Sequence, residues 1–145
     1  MRADAPRILL IEAPYYTDIA IAQLHGAMAV LDAAGANVTR VTVPGALEIP
    51  AAIRFALGGL WDGYVVLGCV IRGETSHYDI VCNECARGVQ DLAVEHALAI
   101  GFGVLTVEDE AQAWARAKPS EMDKGGETAR ACLAMIALRR ELASH

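Results

Sequence analysis

The chain has 145 residues, of which 54% are hydrophobic, so it has the length of one ordinary domain and enough apolar side chains for a core. This composition excludes a disordered chain and a small disulfide-bonded scaffold. The formal net charge is −6 and no lysine or arginine tract occurs, which argues against a nucleic-acid partner because neutralising a phosphate backbone needs clustered cations. The longest nearly unbroken apolar run, 64–71, is far shorter than the roughly 20 residues that cross a bilayer. No basic-then-apolar leader precedes Arg7, so we expect a cytoplasmic protein with no membrane partner.

Short apolar runs alternate along the chain with segments of helical periodicity. The predicted strands are 8–11, 38–43, 64–71 and 102–107. The predicted helices are 19–34, opened by Thr17 or Asp18 and closed by Gly35, then 47–57, 76–99 closed by Gly101, 110–117 and 124–142. With right-handed crossovers, this order predicts an α/β fold, a three-layer α/β/α sandwich around a four-stranded parallel, flavodoxin-like sheet. We expect one domain over residues 1–145, with 1–6 as a flexible N-terminal segment.

Cys82 and Cys85 form a C-x-x-C pair, a spacing found in zinc sites and in redox-active proteins. No second pair stands at metal-ligand spacing and the histidines are scattered singly, so no metal site is expected. Cys85 falls on the apolar stripe of the third predicted helix, whereas a redox pair opens a helix just after a strand. We therefore predict core positions for Cys85, Cys132 and His96, and reduced thiols at all four cysteines, including Cys69.

Ligands of open parallel sheets bind beyond the carboxyl ends of the strands, so the segments that follow the predicted strands are the places to search. Tyr15 and Tyr16 follow the first strand, where a ring either stacks on a planar ligand or only closes the core. After the second strand, Gly45 precedes a helix start whose open amides at 46–48 suit an oxygen-rich group. Taken alone, an ordinary helix start with Glu48 complementing the helix dipole explains this segment better.

The segment after the third strand, 68–79, holds most of the candidate chemistry. Gly73 and a threonine–serine pair open a long helix, an arrangement that holds a phosphate on backbone amides and hydroxyls. Neither a Walker loop nor a G-x-G-x-x-G turn is present. His77 lies just beyond this anion site, and an imidazole that titrates near neutral pH is a natural acid–base group. Arg116, after the fourth strand, is suited to closing over the phosphate, although alone it would be an ordinary surface arginine.

Five segments together resemble the lumazine synthase family, in the order and spacing of that family: 43–50 (VPGALEIP), 68–79 (GCVIRGETSHYD), 82–84 (CNE), 103–106 (GVLT) and 124–127 (KGGE). The resemblance covers the chain from about Arg7 to Leu138. It implies a transferase that condenses 5-amino-6-(D-ribitylamino)uracil with 3,4-dihydroxy-2-butanone 4-phosphate to 6,7-dimethyl-8-ribityllumazine, releasing phosphate and water. This reaction is the penultimate step of riboflavin biosynthesis, and in the family it takes neither a metal nor an organic cofactor.

The resemblance also implies roles for the residues that match the family's motifs. His77 matches the proton-transfer residue. The residues implied in binding the ribitylaminouracil are Tyr15, Ala46, Leu47, Glu48, Cys69, Val70, Ile71 and Phe102. The residues implied in holding the phosphate are Glu74, Thr75 and Arg116, with Lys124 and Glu127 lining the pocket further out.

The implied assembly is a homo-oligomer with active sites between subunits, in which Phe102 of one chain lies beside His77 and Arg116 of another. The apolar fraction of 54%, more than a lone domain of this size needs, fits subunits that bury their flanks against neighbours. Members that form sixty-subunit shells have a glycine-containing stretch where this chain has residues 118–123, so we expect a pentamer, with a decamer or a shell as alternatives. Tyr15 stands where phenylalanine or tryptophan is commoner.

Two readings from other classes stay open. A flavin- or lumazine-binding carrier would keep the ring site without turnover, but it has no need of both His77 and Arg116. A flavodoxin-like FMN protein has a hydroxyl-rich phosphate loop after its first strand, where this chain has Ala13-Pro14-Tyr15-Tyr16. Formation of lumazine from the two substrates without added cofactor separates the enzyme from both.

Overall fold

The computed structural model describes residues 5–145. Its strands are β1 (Arg7–Ala13), β2 (Asn37–Thr42), β3 (Gly63–Ile71) and β4 (Ile100–Val107). Its helices are α1 (Thr17–Ala33), α2 (Ile49–Ala56), α3 (His77–His96), α4 (Glu110–Ala117) and α5 (Lys124–Ala143), and a 3₁₀ turn spans Ala46–Glu48. Every predicted strand and helix is present, so the predicted order of elements is confirmed. Residues 1–4 of the predicted N-terminal segment 1–6 lie outside the described residues.

The four strands form one parallel sheet in the order β2-β1-β3-β4. Alternate residues of β1 face opposite sides, as the two-residue period of a strand requires. Leu9 and Ile11 pack against α2 and α3, whereas Ile8 and Leu10 pack against α1 and α5. A third cluster joins α4 to the ends of β3 and β4. The predicted three-layer α/β/α sandwich is therefore confirmed, with β2 and β4 as the edge strands.

Several boundaries differ from the prediction for local reasons. Tyr16 is the N-cap of α1 and makes no side-chain capping bond, so neither Thr17 nor Asp18 has the predicted capping role. Residues 46–48 form a 3₁₀ turn, and α2 begins only at Ile49. Helix α3 ends at His96, where Ala97 adopts the left-handed conformation with φ 54°, and not at Gly101.

Gly101 instead belongs to β4, at a position where a side chain would overlap the backbone carbonyl of Thr128 in α5. His96 is exposed, so its predicted core position is wrong; it lies in the last turn of α3, where a basic group complements the helix dipole. Cys85 and Cys132 are fully buried, as predicted, and the four cysteines are free thiols. Across residues 5–145, no helix is long and apolar enough to cross a membrane, and no cluster of His, Cys, Asp and Glu side chains could hold a metal ion.

Candidate active site

A cleft of about 560 Å³ lies at the carboxyl end of the sheet, where the β1–α1 turn, the 3₁₀ turn, the end of β3 and the start of α3 meet. Nine of the predicted site residues line it: Tyr15, Ala46, Leu47, Glu48, Cys69, Val70, Ile71, Thr75 and His77. We call this cavity the cleft. Its lining also includes residues outside the set of predicted site residues: Tyr16, Pro44, Gly45, Gly73, Tyr78 and Val81.

A second cavity of about 290 Å³, which we call the recess, lies between the edge strand β4 and the helices α4 and α5. Four further predicted residues line it: Phe102, Arg116, Lys124 and Glu127. The structure thus divides the predicted site between two separate cavities of one chain. Glu74, the remaining predicted residue, is exposed and lines neither cavity.

Arg116 lies with Phe102 in the recess and not with His77 in the cleft, contrary to the arrangement expected from the sequence. The cause is the position of Arg116 in the last turn of α4, where its guanidinium donates a hydrogen bond to the Gln112 carbonyl oxygen at 3.1 Å. Among the described residues, Arg116 makes no ion pair. Lys124, the other cation of the recess, pairs with Glu127 at 3.1 Å. Arg116 is therefore the recess cation that is available to a ligand.

The aromatic residues at the mouth of the cleft leave one ring open. Tyr15 is 74% exposed, and its ring meets the ring of Tyr16 edge-on, with centroids 5.0 Å apart and planes at 78°. An edge-on contact leaves a face of Tyr15 free for stacking. Burial raises the pKa of Tyr16, so its hydroxyl keeps its proton in neutral solution.

The loop between β3 and α3 is held at its base by Arg72. Its guanidinium lies 2.8 Å from the Glu108 carboxylate and 4.3 Å from the centroid of the Tyr78 ring, and its backbone N–H donates to the Val107 carbonyl at 2.9 Å. A further carboxylate, Asp79, lies 3.7 Å away. Because two acids already neutralise Arg72, its contacts order the loop and leave little positive charge for a ligand.

Above that base, the loop offers donors for an anion. Within residues 5–145, the backbone N–H groups of 73–76 have no hydrogen-bond partner. The Thr75 hydroxyl accepts a hydrogen bond from the His77 N–H at 3.3 Å, which keeps the hydroxyl beside the first turn of α3. Open amides at a helix start bind phosphate groups. However, no lysine or arginine of the described chain lines the cleft, so this anion site has no cation of its own.

The thiol in the cleft is a packing group. Cys69 is 8% exposed, and burial raises its pKa to about 11. A thiol with so high a pKa stays protonated near neutral pH and is a poor nucleophile. Burial also raises the pKa of the Tyr78 hydroxyl, an increase that the nearby Thr106 side chain reduces. Tyr78 lines the cleft and Thr106 lines the recess, so the two cavities approach each other here.

The fold and the site together define a class: an open α/β sheet protein whose cleft is suited to a planar, oxygen-rich small molecule beside an anionic group. The sequence model of one family, described as 6,7-dimethyl-8-ribityllumazine synthase, matches residues 5–140. The chain belongs to this family.

Curated relatives agree with this assignment over most of their length. The chain is 59% identical over 141 residues to 6,7-dimethyl-8-ribityllumazine synthase 1 of Rhizobium meliloti, covering 93% of this chain and 92% of the relative. It is 54% identical over 143 residues to the synthase of Agrobacterium fabrum, covering 94% and 97%. It is 57% identical over 135 residues to that of Methylobacterium radiotolerans, covering 92% and 82%.

Proposed function

We propose that the cleft is one half of the active site and that a neighbouring copy of the chain supplies the other half with its recess. The reaction is that of the family: the enzyme condenses 5-amino-6-(D-ribitylamino)uracil with 3,4-dihydroxy-2-butanone 4-phosphate to 6,7-dimethyl-8-ribityllumazine in riboflavin biosynthesis. The observation that carries the shared site is the missing cation. Among the described residues, the cleft offers amides for a phosphate but no lysine or arginine, while the recess holds Arg116 without an ion pair.

In this proposal the cleft holds the ribitylaminouracil. The free face of Tyr15 stacks on the pyrimidine, and Phe102 of the neighbouring copy covers the pyrimidine from the other side. Phe102 is 42% exposed, so its ring is accessible to a second chain. Residues 46–48 bind the ribityl chain, because Glu48 accepts hydrogen bonds from hydroxyls and the 3₁₀ turn presents backbone groups. The end of β3, 69–71, fixes the uracil edge.

The second substrate lies between the two chains. Its phosphate binds the amides at Glu74 and Thr75 and pairs with Arg116 of the neighbour, whose planar guanidinium suits two phosphate oxygens. Lys124 and Glu127 line the outer part of this half-site. Glu74 fits this role even though it lines neither cavity, since only its backbone N–H is required.

The chemistry needs proton transfer and charge stabilisation. The uracil amine attacks the ketone, and loss of water forms a Schiff base. Loss of a proton from the neighbouring carbon expels phosphate and leaves an enol, whose keto form is the second carbonyl. Attack of the ribitylamino nitrogen on that carbonyl and loss of a second water close the ring. We assign the proton transfers to His77, which lines the cleft beside the phosphate loop. The loop amides and Arg116 hold the charge that develops on the departing phosphate. Holding two substrates in register supplies much of the rate, because bimolecular condensations gain most from proximity.

We expect His77→Ala to lower kcat about 100-fold without abolishing turnover, since the acid–base contribution is lost while proximity is retained. The measurement is lumazine absorbance and fluorescence with both substrates saturating and no cofactor added. His25→Ala, a change at an exposed position of α1, serves as the control and keeps wild-type kcat. Undetectable activity in His77→Ala would contradict this division between proximity and proton transfer. Tight lumazine binding without any turnover by the wild type would instead support a carrier.

The shared site itself is tested by mixing two variants, one with a defective cleft and one with a defective recess. Chains with His77→Ala and chains with Arg116→Ala are unfolded together in equal amounts and reassembled. If each site joins two chains, about a quarter of the sites regain both native halves by random pairing. The activity at low phosphate-substrate concentration then rises to about a quarter of the wild-type value. The same variants mixed without unfolding are the control, and a reassembled mixture no more active than its parents would rule out the shared site.

The position of the apolar surface supports a ring of subunits. An apolar groove of about 800 Å³ between β2 and α2 shares Pro44 and Glu48 with the cleft, and Phe55 on it is 84% exposed. Another, of about 410 Å³ between α3 and α5, shares Phe102 with the recess. Each flank thus adjoins a different half-site. Contacts between unlike flanks repeat around a ring, and we propose that the ring closes as a pentamer. Light scattering distinguishes the pentamer from a decamer or a sixty-subunit shell.

We also propose that the whole chain is one domain and that the enzyme is cytoplasmic. All three clusters of buried side chains pack on the same sheet, which supports one domain. Free thiols at all four cysteines are consistent with a reducing compartment.

A further inference from the structure

Helix α1 carries a buried polar side chain that contacts the strands of both half-sites from behind. Gln23 is 1% exposed. Its Nε2 donates one hydrogen bond to the Gly68 carbonyl oxygen and one to the Gly103 carbonyl oxygen, both at 3.0 Å. A side-chain amide nitrogen has two hydrogens, so both are committed to these bonds.

The two acceptors stand next to residues of the proposed active site. Gly68 directly precedes Cys69, in the strand whose end lines the cleft. Gly103 directly follows Phe102, in the edge strand that lines the recess. Gly68 pairs with Val104 and Leu67 pairs with Gly103 in the sheet, so the amide spans neighbouring positions of β3 and β4. One side chain therefore ties the cleft strand to the recess strand.

The same turn of α1 also contacts the helix of the recess. Gly125 lies so close to α1 that a Cβ there would overlap the Gln23 carbonyl oxygen. Gly125 follows Lys124, which lines the recess. Gln23 thus contacts β3 and β4 through its side chain, and α5 through its backbone.

We propose that Gln23 is a positioning residue that sets the spacing between the cleft and the recess of each subunit. This inference rests on the proposed shared site. Each subunit gives its cleft to one neighbour and its recess to the other, so an error in spacing within one subunit displaces groups at two active sites. A misplacement of about 1 Å in the reacting geometry can cost about 100-fold in rate. Gln23 itself lines neither cavity, and its effect passes through the backbone of β3 and β4.

The test is Gln23→Met, which keeps a long unbranched side chain of similar size but removes the donors. We expect kcat to fall about tenfold, while the KM of each substrate changes less than about threefold, because every group that contacts substrate is retained. The unfolding temperature falls by several degrees, since two buried carbonyls lose a partner. Each variant is assayed well below its own unfolding temperature.

The matched control is Ile8→Val. Ile8 is fully buried, packs in the cluster of α1 and α5, and stands at the amino end of β1, away from both cavities. We expect Ile8→Val to lower the unfolding temperature and to leave kcat at the wild-type value. Gln23→Asn keeps the amide with a shorter reach, and we expect a smaller loss of kcat than in Gln23→Met.

Wild-type kcat in folded Gln23→Met would overturn the proposal. So would a loss of kcat in Ile8→Val as large as that in Gln23→Met when the two variants have lost the same stability. If neither Gln23 variant folds, the residue is a folding requirement and the positioning role is rejected. The mixing of His77→Ala with Arg116→Ala chains tests the shared site independently. If the mixed chains regain activity but Gln23→Met keeps wild-type kcat, the shared site stands and only the positioning role of Gln23 is rejected.

Discussion

Replacing Arg116 with alanine is expected to raise the KM of the phosphate-bearing substrate about 100-fold, since charge-assisted hydrogen bonds contribute about 1.5–3 kcal/mol each. The effect is large because, among the described residues, no lysine or arginine lines the cleft to substitute for the lost cation. The KM of the ribitylaminouracil stays within about twofold of the wild-type value, because Arg116 contacts the phosphate only. Steady-state kinetics with each substrate varied in turn measures both constants.

Two further variants define the origin of this effect. Arg116→Lys keeps the charge but loses the planar fork, so we expect an intermediate rise in KM of about tenfold. Arg54→Ala, which removes an exposed cation in the last turn of α2, is the control and leaves both KM values unchanged. An unchanged phosphate-substrate KM in Arg116→Ala would remove the recess from the active site.

The elements that the sequence predicted best are those in which one physical signal dominates. Strand β3, buried along nearly its whole length, is a continuous apolar run, and its observed start at Gly63 lies one residue from the predicted start. Residues 47–48 of the 3₁₀ turn were predicted as the start of a helix over 47–57, because over so few residues apolar spacing cannot separate 3₁₀ from α-helical hydrogen bonding. His96 fits the apolar stripe by spacing, but whether that stripe is still covered at the last turn depends on tertiary packing.

The candidate site was predictable for residues whose position along the chain also determines their position in the fold. The cleft residues lie at the end of β3 or just after β1, β2 and β3. The carboxyl ends of parallel strands meet at one edge, so their convergence follows from topology. Arg116 lies a whole helix beyond β4, and the direction of its side chain depends on how α4 packs, which no local pattern encodes. Tyr78 and Thr106, which lie near each other between the two cavities, likewise belong to segments far apart in sequence.

Gly125→Ala is expected to destabilise the enzyme by about 2 kcal/mol, because overpacking costs about 1–3 kcal/mol or more, and the higher helix propensity of alanine recovers only part of it. A Cβ at Gly125 would overlap the Gln23 carbonyl oxygen and press on the Gln23 carbonyl carbon and the Ala27 nitrogen. These atoms belong to the backbone of α1, so a change of rotamer cannot relieve the overlap, and α1 and α5 must move apart. The unfolding temperature falls by roughly 4–8 °C, measured at fixed subunit concentration because association also contributes stability.

Gly58→Ala is the matched control for this substitution. Nothing in the same subunit lies within 4 Å of a Cβ placed at Gly58, just after α2, so alanine there adds no overlap within the subunit and lowers the entropy of the unfolded chain. Equal unfolding temperatures for the two variants would show that α1 and α5 can separate without cost. Because the substitution separates α1 from α5 next to Gln23, Gly125→Ala is also expected to lower kcat by more than its loss of stability explains. A kcat that stays at the wild-type value well below the unfolding temperature would mean that the spacing of the half-sites does not depend on this contact.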